Sequence, residues 1–258
     1  MKKKTVAIIT IAGLSSRFNQ DIPAEHHKLK AIYHEGDPKE TLLFHMLSRI
    51  EEADRIILVA GYRIDDLISY LDSEIPKNLR EKISVVTNDH YEDWSSGYSL
   101  YLGIKEAFKH GPQVVIFAEG DLDVDDETFS KVVSSDRSVI TCNHELIRSN
   151  KAVIGYCNSK NQYKYSFSTT HGLVSVDEPF SILFNSGQIW KFTNMEYLRE
   201  ANDAFESVIS TGTNLLIVRD YFSKQAFDDI ELLDFQYWVN CNTREDYRKI
   251  LANWENTK

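Results

Sequence analysis

Cysteine is scarce in this sequence, which limits its chemistry. Only three of the 258 residues are cysteines, Cys142, Cys157 and Cys241. Their number is odd and their spacing is not that of a metal site, so the sequence predicts neither a disulfide framework nor a zinc centre. Reduced thiols are typical of a reducing compartment, and we therefore expect a cytoplasmic protein.

Long apolar runs are also missing. No stretch approaches the ~20 consecutive apolar residues that a membrane-spanning helix needs. The N-terminal "MKKK" precedes an apolar run, as in a signal peptide. However, that run is short, Arg17 follows it closely and no small-x-small cleavage site is present, so we reject a signal peptide. The sequence predicts no association with membranes.

Positive charge is in deficit. The chain has 29 lysines and arginines against 39 aspartates and glutamates, a net charge of −10. General nucleic-acid binding requires a basic face, so this balance argues against a nucleic-acid partner. A hydrophobic content of 42% and a length of 258 residues fit one globular domain, with at most a modest second lobe.

Buried parallel strands are predicted in the first half of the chain. Five short runs are continuous and β-branched, as is typical of strands covered on both faces. They are Val6–Ile11, "RIILVAG" (55–61), "ISVVTN" (83–88), "QVVIFAE" (113–119) and "SVITCN" (138–143). Helical periodicity marks the segments Thr41–Ala53, Asp65–Leu71, Tyr98–Phe108 and Asp126–Val133. The alternation predicts an α/β fold with a mainly parallel central sheet flanked by helices.

The pattern changes after residue 143. Segments 151–157, 163–169 and 171–177 are short and alternating, which predicts antiparallel strands. Further elements are predicted as helices near Glu196–Ile209 and Tyr221–Ala226, a strand at Phe235–Val239 and a closing helix at Arg244–Trp254 with Thr243 as its N-cap. We therefore divide one domain into a core (5–143), a smaller α+β part (144–235) and a return strand with the C-terminal helix (236–258).

The loop "IAGLSSRFN" (11–19) directly follows the first strand. Gly13 permits a tight reversal and a close approach of the backbone to a ligand. Ser15 and Ser16 can donate to phosphate oxygens, and Arg17 has a planar fork that suits them. The loop is neither a Walker loop nor a G-x-G-x-x-G motif, so both a phosphate-binding loop and a structural turn remain open.

Acidic residues cluster where another buried strand ends. "FAEGDLDVDD" (117–126) places Glu119 and Asp121 at the carboxyl end of the strand, where α/β sheets bind ligands. Carboxylates there suit Mg²⁺, and Asn242 in "WVNCNTRED" offers a second oxygen donor. Asp125 and Asp126 are interpreted as capping and solvating the next helix. His26, His27 and His171 are interpreted as structural or solvated rather than catalytic.

Several of these motifs together carry a resemblance. "AGLSSR", a following lysine, "VAGY", "NDHYEDWSSGYSLYLG", "AEGD" and "NTREDY" occur in the order seen in nucleotidyltransferases of the sugar-phosphate pyrophosphorylase type. The middle portion looks most like the bacterial phosphocholine cytidylyltransferases. The resemblance covers residues 5–135 and the motif within 236–250. It implies a GT-A-like, Rossmann-like nucleotide-binding core, with the 144–235 part binding the acceptor.

The resemblance also implies roles for single residues. Arg17, Lys30 and Asp121 would be catalytic, and Asp121 and Asn242 would hold Mg²⁺. The nucleotide-binding set would be Ala12, Gly13, Leu14, Ser15, Ser16, Arg17, Lys30, Asn88, Ser96, Gly97, Tyr98, Glu119 and Asp121. The chain departs from the family pattern in two places. The family has a second glycine where Ser15 stands, and its Pro-Lys appears here as Leu29-Lys30, with Lys28 as a rival lysine.

The sequence thus predicts a Mg²⁺-dependent transfer of a nucleoside monophosphate, CMP from CTP favoured, to a small phosphorylated acceptor. Phosphocholine or phosphoglutamine would suit as acceptor, destined for surface polysaccharide. Within "FNSGQIWKF" (184–192), Asn185 and Trp190 are the predicted acceptor contacts. The aromatic rings there could hold a cationic group, and ordinary core packing is the alternative that the sequence favours slightly. Two alternatives remain: a glycosyltransferase that binds metal through "DLD" (121–123), and a nucleotide-binding regulator without turnover.

Overall fold

The protein was analysed as a computed structural model that describes residues 3–149, 152–166, 169–170 and 173–257. Within those residues the strands alternate with helices up to residue 143, as predicted. The strands are β1 (Thr5–Thr10), β2 (Arg55–Ala60), β3 (Ile83–Thr87), β4 (Val114–Glu119), β5 (Leu122–Val124), β6 (Ser138–Asn143), β7 (Ile154–Asn158), β8 (Tyr163–Tyr165), β9 (Thr169–Thr170), β10 (Leu173–Val174), β11 (Phe180–Phe192), β12 (Ile230–Phe235) and β13 (Trp238–Asn240). The helices are α1 (Leu42–Arg49), α2 (Ile64–Glu74), α3 (Lys77–Arg80), α4 (Gly97–Lys109), α5 (Asp126–Ser134), α6 (Met195–Phe205), α7 (Asn214–Phe222) and α8 (Arg244–Thr257).

A nine-stranded sheet organises the molecule. Its main path runs β12-β6-β11-β4-β1-β2-β3, and β7 and β8 extend it from β11. β1 pairs in parallel with β2 and with β4, and β2 with β3, whereas β11 is antiparallel to both β4 and β6. The predicted α/β fold with a mostly parallel sheet is therefore confirmed.

Each face of the sheet buries its own hydrophobic layer. Alternate residues of β1 point to opposite faces, as a strand requires: Ala7 and Ile9 join one core, Val6 and Ile8 the other. The first core is covered by α1, α2 and α5, and the second by α4, α6 and α7. Covering both faces explains why these strands read as continuous apolar runs instead of alternating ones.

The second half of the chain contributes to the main sheet. β11 lies between β4 and β6, and β12 lies at the edge beside β6. The boundary predicted near residue 143 therefore does not separate two sheets. The sequence did not indicate β11, because its mixture of polar and apolar residues lacks a clear alternation. The predicted strand Phe235–Val239 is in fact the end of β12 and the start of β13, and α7 begins earlier than predicted.

Two predicted helix caps are present in the structure. Thr243 Oγ1 accepts a hydrogen bond of 3.1 Å from the Asp246 amide, and the Asp246 carboxylate accepts one of 2.9 Å from the Thr243 amide, a reciprocal capping box at α8. Asp125 Oδ1 accepts a 2.7 Å hydrogen bond from the Thr128 amide and caps α5. The predicted capping role of Asp125 is confirmed.

The three cysteines are unpaired and buried. Burial raises the pKa of both Cys142 and Cys241 to about 12, so these thiols stay neutral at physiological pH. His27 Nε2 lies 2.9 Å from the Ile22 carbonyl oxygen in a short turn, and His26 is exposed beside it. His171 lies outside the described residues.

Candidate active site

A cavity of about 330 Å³ opens at the carboxyl ends of β1 and β4. This is the edge of an open α/β sheet at which ligands bind, and the volume suits a small-molecule ligand. Its wall contains eight of the predicted site residues: Ala12, Gly13, Ser15, Lys30, Asn88, Ser96, Glu119 and Asp121. The fold thus brings the loop after β1, the lysine that follows it and the acidic end of β4 to one place.

The loop after β1 depends on a left-handed residue. Ser15 has φ +53°, a conformation that glycine adopts without strain and other residues adopt at a cost. Its carbonyl accepts a 3.0 Å hydrogen bond from the Asn19 amide, and its Oγ accepts a 3.3 Å one from the Lys30 amide. Ser15 therefore adopts a backbone conformation that glycine favours, at the position where the resemblance implies a glycine, and ties the loop to Lys30.

Replacing Ser15 tests this conformation. We expect Ser15→Gly to keep the free energy of unfolding within about 1 kcal/mol of wild type, because relief of strain offsets the lost hydrogen bond. Ser15→Val is expected to cost about 1–3 kcal/mol, since a β-branched residue is poorly tolerated at positive φ. Urea unfolding of both variants measures the difference, and a valine variant as stable as the glycine variant would show that the loop does not need this conformation.

Gly13 does not make the left-handed turn of the loop, but the open space beside it is compatible with the predicted close approach of a ligand. Its φ is not in the left-handed region, and a Cβ there would meet no atom within 4 Å. The turn of the loop therefore comes from Ser15, while Gly13 leaves open space beside the cavity. Gly120 is the glycine that packing demands, because a Cβ there would lie 2.1 Å from a methyl group of Ile11.

Lys30 and Asp121 form an ion pair inside the cavity. Lys30 Nζ lies 2.8 Å from Asp121 Oδ2, and the two side chains are only 17% and 23% exposed. Lys28 is exposed, and its amide donates to the Asn19 side chain instead. Of the two candidate lysines, the fold therefore brings Lys30 to the acidic strand end.

Side-chain oxygens beside Asp121 fit a hard cation. The Asp121 carbonyl accepts a 2.7 Å hydrogen bond from the Cys241 amide, which places Asn240 and Asn242 next to it. The Oδ1 atoms of Asn240 and Asn242 are both buried, with no hydrogen-bond partner among the described residues. Buried amide oxygens without a donor, next to a carboxylate, are ligands that Mg²⁺ accepts. No group of three or more His, Cys, Asp or Glu residues suited to a metal occurs in the described part of the chain, so such a site would rest on Asp121 and the two asparagines.

Glu119 lies deeper in the same wall. The Asn214 side-chain amide donates a 2.7 Å hydrogen bond to Glu119 Oε1. Burial and the neighbouring Asp121 raise the pKa of Glu119 to about 7, while Asn214 and Lys30 act in the opposite direction. Asn214 begins α7, in the part of the chain where "FNSGQIWKF" was the only predicted site motif.

Asp123 has a structural role. It is 1% exposed, lies 3.2 Å from Arg49 Nη1 and accepts a 2.9 Å hydrogen bond from Trp254 Nε1. Burial raises the pKa of Asp123, although Arg49 opposes the shift. Asp123 thus joins α1 to α8 beneath the cavity and does not line the cavity beside Asp121, as a metal-binding Asp-x-Asp pair requires.

An aromatic loop closes another side of the cavity. Tyr91 and Trp94 line it, and Trp94 stacks on His90 at 3.7 Å. Asn88 is 3% exposed, and its side chain donates to Ser99 Oγ at 2.9 Å and accepts from the His90 amide at 2.9 Å. Asn88 therefore ties this loop to α4, while Ser96 at the start of α4 faces the cavity.

Five predicted nucleotide contacts lie outside the cavity wall. Leu14, Ser16 and Arg17 are exposed on the loop. A Cβ on Gly97 would lie 2.3 Å from the Phe205 ring, so Gly97 is required by packing. Tyr98 packs edge-on against Trp94 at 4.6 Å, with its hydroxyl 3.4 Å from Asp89 Oδ1. Gly97 and Tyr98 therefore do not line the cavity, and their contact with a nucleotide stays a prediction.

The predicted acceptor contacts also lie away from the cavity. Trp190 is completely buried, stacks on Phe117 at 5.2 Å and donates a 2.6 Å hydrogen bond to the Tyr165 hydroxyl. A ring enclosed on β11 cannot hold a cationic group, and the predicted role of Trp190 is wrong because tertiary packing places it in the core. Asn185 is 5% exposed, and its Oδ1 has no hydrogen-bond partner among the described residues.

Among the aromatic and polar residues of the wall, Asn214 was missed by the sequence reasoning, whereas Tyr91 and Trp94 belong to a stretch that was expected to contact base or substrate. Tyr91 and Trp94 stand within the quoted stretch "NDHYEDWSSGYS", and their aromatic character beside two serines was the available signal. No local pattern singles out Asn214, because a polar residue at a helix start is ordinary.

Solved structures that this chain resembles include nucleotidyltransferases. The CTP:phosphocholine cytidylyltransferase from Streptococcus pneumoniae aligns with a TM-score of 0.65 and 17% identity over 96% of this chain and 97% of that one. The inositol-1-phosphate CTP transferase from T. maritima aligns with a TM-score of 0.66 and 14% identity over 95% of this chain and 94% of that one. A UDP-glucose pyrophosphorylase aligns with a TM-score of 0.67 and 14% identity over 98% of this chain and 99% of that one. The chain thus has the fold of these enzymes.

Within that fold class, the chain belongs to the family described as Domain of unknown function (DUF6564), whose model matches residues 26–254. No curated protein matches the sequence significantly. Across the described residues, no helix has the length and apolar character needed to cross a membrane.

Proposed function

We propose that this protein is a Mg²⁺-dependent nucleotidyltransferase that moves a nucleoside monophosphate from a triphosphate, CTP favoured, to a small phosphorylated acceptor. One observation carries the proposal: the loop after β1, Lys30 and Asp121 meet in one cavity at the carboxyl ends of β1 and β4. The shared fold of the three nucleotidyltransferases supports it.

The reaction needs no strong general base. A phosphate oxygen of the acceptor attacks the α-phosphorus, a new P–O bond forms and the bond to the β-phosphate breaks. Pyrophosphate then leaves with the electron pair. Because the second pKa of a phosphate monoester is about 6, the attacking oxygen is already ionised at neutral pH. Catalysis then depends on alignment and on the neutralisation of negative charge.

Residues of the wall, and two asparagines on the segment beside Asp121 that do not line the cavity, divide this work. Backbone N–H groups of the loop at Ala12 and Gly13 would approach the phosphates closely, and Lys30 would stabilise charge on the α-phosphate. Asp121 with Asn242, and Asn240 beside them, would hold Mg²⁺. When bound, Mg²⁺ would neutralise phosphate charge and orient the triphosphate.

Base and acceptor would occupy the remaining wall. Ser96 offers a hydroxyl to the base, and Tyr91 and Trp94 offer aromatic faces. With Trp190 in the core, these two rings are the aromatic groups of the wall that a cationic acceptor could use. Phosphocholine or phosphoglutamine, for the decoration of surface polysaccharide, remain the acceptors we propose to test first.

The test is a pyrophosphate-release screen that crosses four nucleoside triphosphates with a panel of phosphorylated small molecules. We expect release with CTP that requires both an acceptor and Mg²⁺. Tight CTP binding without product would instead indicate a regulator. Transfer from a nucleotide sugar without pyrophosphate release would indicate a glycosyltransferase, which the burial of Asp123 disfavours.

Substitutions of Lys30 and Lys28 should differ in their effect on kcat. We expect Lys30→Ala to lower kcat about 100-fold, about 2.7 kcal/mol of transition-state stabilisation, because its charge faces the reacting phosphate. Lys28→Ala, the matched control, should stay within about twofold, since Lys28 is exposed and held only through its backbone. Steady-state kinetics of both variants decide, and a larger kcat loss for Lys28→Ala would contradict the assignment.

Arg17 is expected to act on binding. Its guanidinium is exposed on the loop, where it could reach the β- and γ-phosphates. We expect Arg17→Ala to raise the KM for the triphosphate about tenfold, or about 1.4 kcal/mol. Arg17→Lys should recover only part of this, since lysine lacks the bidentate fork. An unchanged KM for the triphosphate in Arg17→Ala would show that Arg17 does not contribute to triphosphate binding.

A further inference from the structure

Donors from the chain itself occupy both carboxylate oxygens of Asp121. Lys30 Nζ lies 2.8 Å from Oδ2, and the Asn240 side-chain amide donates to Oδ1 at 3.4 Å. The ion pair is largely shielded from solvent, with the lysine 17% and the aspartate 23% exposed. Such a pair is screened less by salt than a surface pair.

The side-chain amide oxygens of Asn240 and Asn242, unlike the Asp121 carboxylate oxygens, have no donor in the part of the chain that the structure describes. Asn240 Oδ1 and Asn242 Oδ1 are buried, and neither has a hydrogen-bond partner among the described residues. The Cys241 amide, between the two asparagines, donates to the Asp121 carbonyl at 2.7 Å and fixes this segment beside the carboxylate. Within the described chain, the site therefore has two amide oxygens without a hydrogen-bond donor, on Asn240 and Asn242, beside the Asp121 carboxylate that is already paired with the Lys30 ammonium.

We propose that the Lys30 ammonium competes with a divalent cation for the Asp121 carboxylate. The cation then binds tightly only when an anion accepts Lys30 in place of Asp121. An ammonium and a divalent cation on one carboxylate would lie a few ångströms apart in a partly buried site, where like charges repel strongly. A phosphate oxygen accepting the lysine would remove that competition. The identity of the anion as a nucleotide phosphate rests on the proposed function.

The proposal makes cation binding and phosphate binding mutually dependent. A cation alone meets the ammonium, and a phosphate that takes the ammonium opens the carboxylate. By linkage, each ligand raises the affinity for the other by the same factor. Removing the ammonium should therefore raise the affinity for a divalent cation, whereas loss of a residue that assists cation binding would lower it.

The experiment measures Mn²⁺ binding directly, by the electron paramagnetic resonance signal of the unbound ion, without nucleotide. The variants are Lys30→Met, its matched control Lys28→Met, and Lys30→Met combined with Asp121→Asn. Thermal unfolding of each confirms the native state. We expect Lys30→Met to bind Mn²⁺ at least tenfold more tightly than wild type, and Lys28→Met to match wild type. The double variant should lose the gain.

Two results would overturn the proposal: a Lys30→Met protein that binds Mn²⁺ no better than wild type, or a gain that persists in the double variant. A second arm adds CMP, a weak Mn²⁺ ligand in water, to wild type. We expect CMP to tighten Mn²⁺ binding by wild type and to have little effect on Lys30→Met. Suppose that Lys30→Met gains affinity for Mn²⁺, CMP has no effect and the pyrophosphate screen is negative. Competition between Lys30 and the cation would then be supported, and the proposed function would be contradicted.

Discussion

Replacing Asp121 with alanine is expected to abolish nucleotidyl transfer and to leave a cooperative fold. Asp121 lies two residues beyond the end of β4 in the cavity wall, where its carboxylate pairs with Lys30 and accepts a hydrogen bond from the Asn240 side-chain amide. Losing a ligand of the catalytic cation removes charge stabilisation worth several kcal/mol, so we expect turnover to fall by at least about 1000-fold. The side chain is not part of a hydrophobic core, so stability should change little.

Asp126→Ala is the matched control for this experiment. Asp126 lies five residues further on, its side chain is 82% exposed, and it pairs with Arg49 Nε at 2.7 Å on the surface of α5. Its loss should leave turnover unchanged. Pyrophosphate release is measured for both variants over a range of Mg²⁺ concentrations. If Asp121→Ala retains more than about a tenth of the wild-type rate, a loss of only ~1.4 kcal/mol, Asp121 does not hold the catalytic cation.

Asp123→Ala is expected to do the reverse, with a large loss of stability and little loss of catalysis. The substitution removes the acceptor of Trp254 Nε1 and the buried one of the two carboxylates that pair with Arg49, in a site where Asp123 is 1% exposed. Breaking a buried ion pair by removing one member leaves the other charge poorly compensated, which costs about 3 kcal/mol. The loss corresponds to a melting temperature lower by about 6–12 °C for a domain of this size.

Calorimetry or urea unfolding measures this change, and kcat at a temperature where the variant is folded measures the catalytic part. Asp126→Ala again serves as control, because an exposed ion pair contributes at most about 1 kcal/mol. An Asp123→Ala protein of normal stability that had lost its activity would support the Asp-x-Asp metal site and hence the glycosyltransferase alternative. The two aspartates, two residues apart, thus test function and fold separately.

Local sequence determined most of the secondary structure in the first half of the chain. Apolar β-branched runs mark β1, β2, β3, β4 and β6 to within one residue at most ends, because strands buried on both faces need an unbroken apolar run. The resemblance assigned the loop after β1 and the acidic end of β4 to one nucleotide site, and the fold brings them together because the carboxyl ends of parallel strands share one edge of a sheet. Caps such as Thr243 were also predictable, because their partners lie within a few residues.

Tertiary structure alone decided the finer composition of the site. The resemblance preferred Lys30 to Lys28 by its position after Leu29, but only the fold sets Lys30 against Asp121 across 91 positions of the chain. Trp190 was predicted to hold a ligand, but the pairing of β11 with β4 and β6 encloses it in the core. Asn214 reaches Glu119 from a helix 95 residues away. These contacts depend on long-range packing, which the local periodicity of a single sequence does not encode.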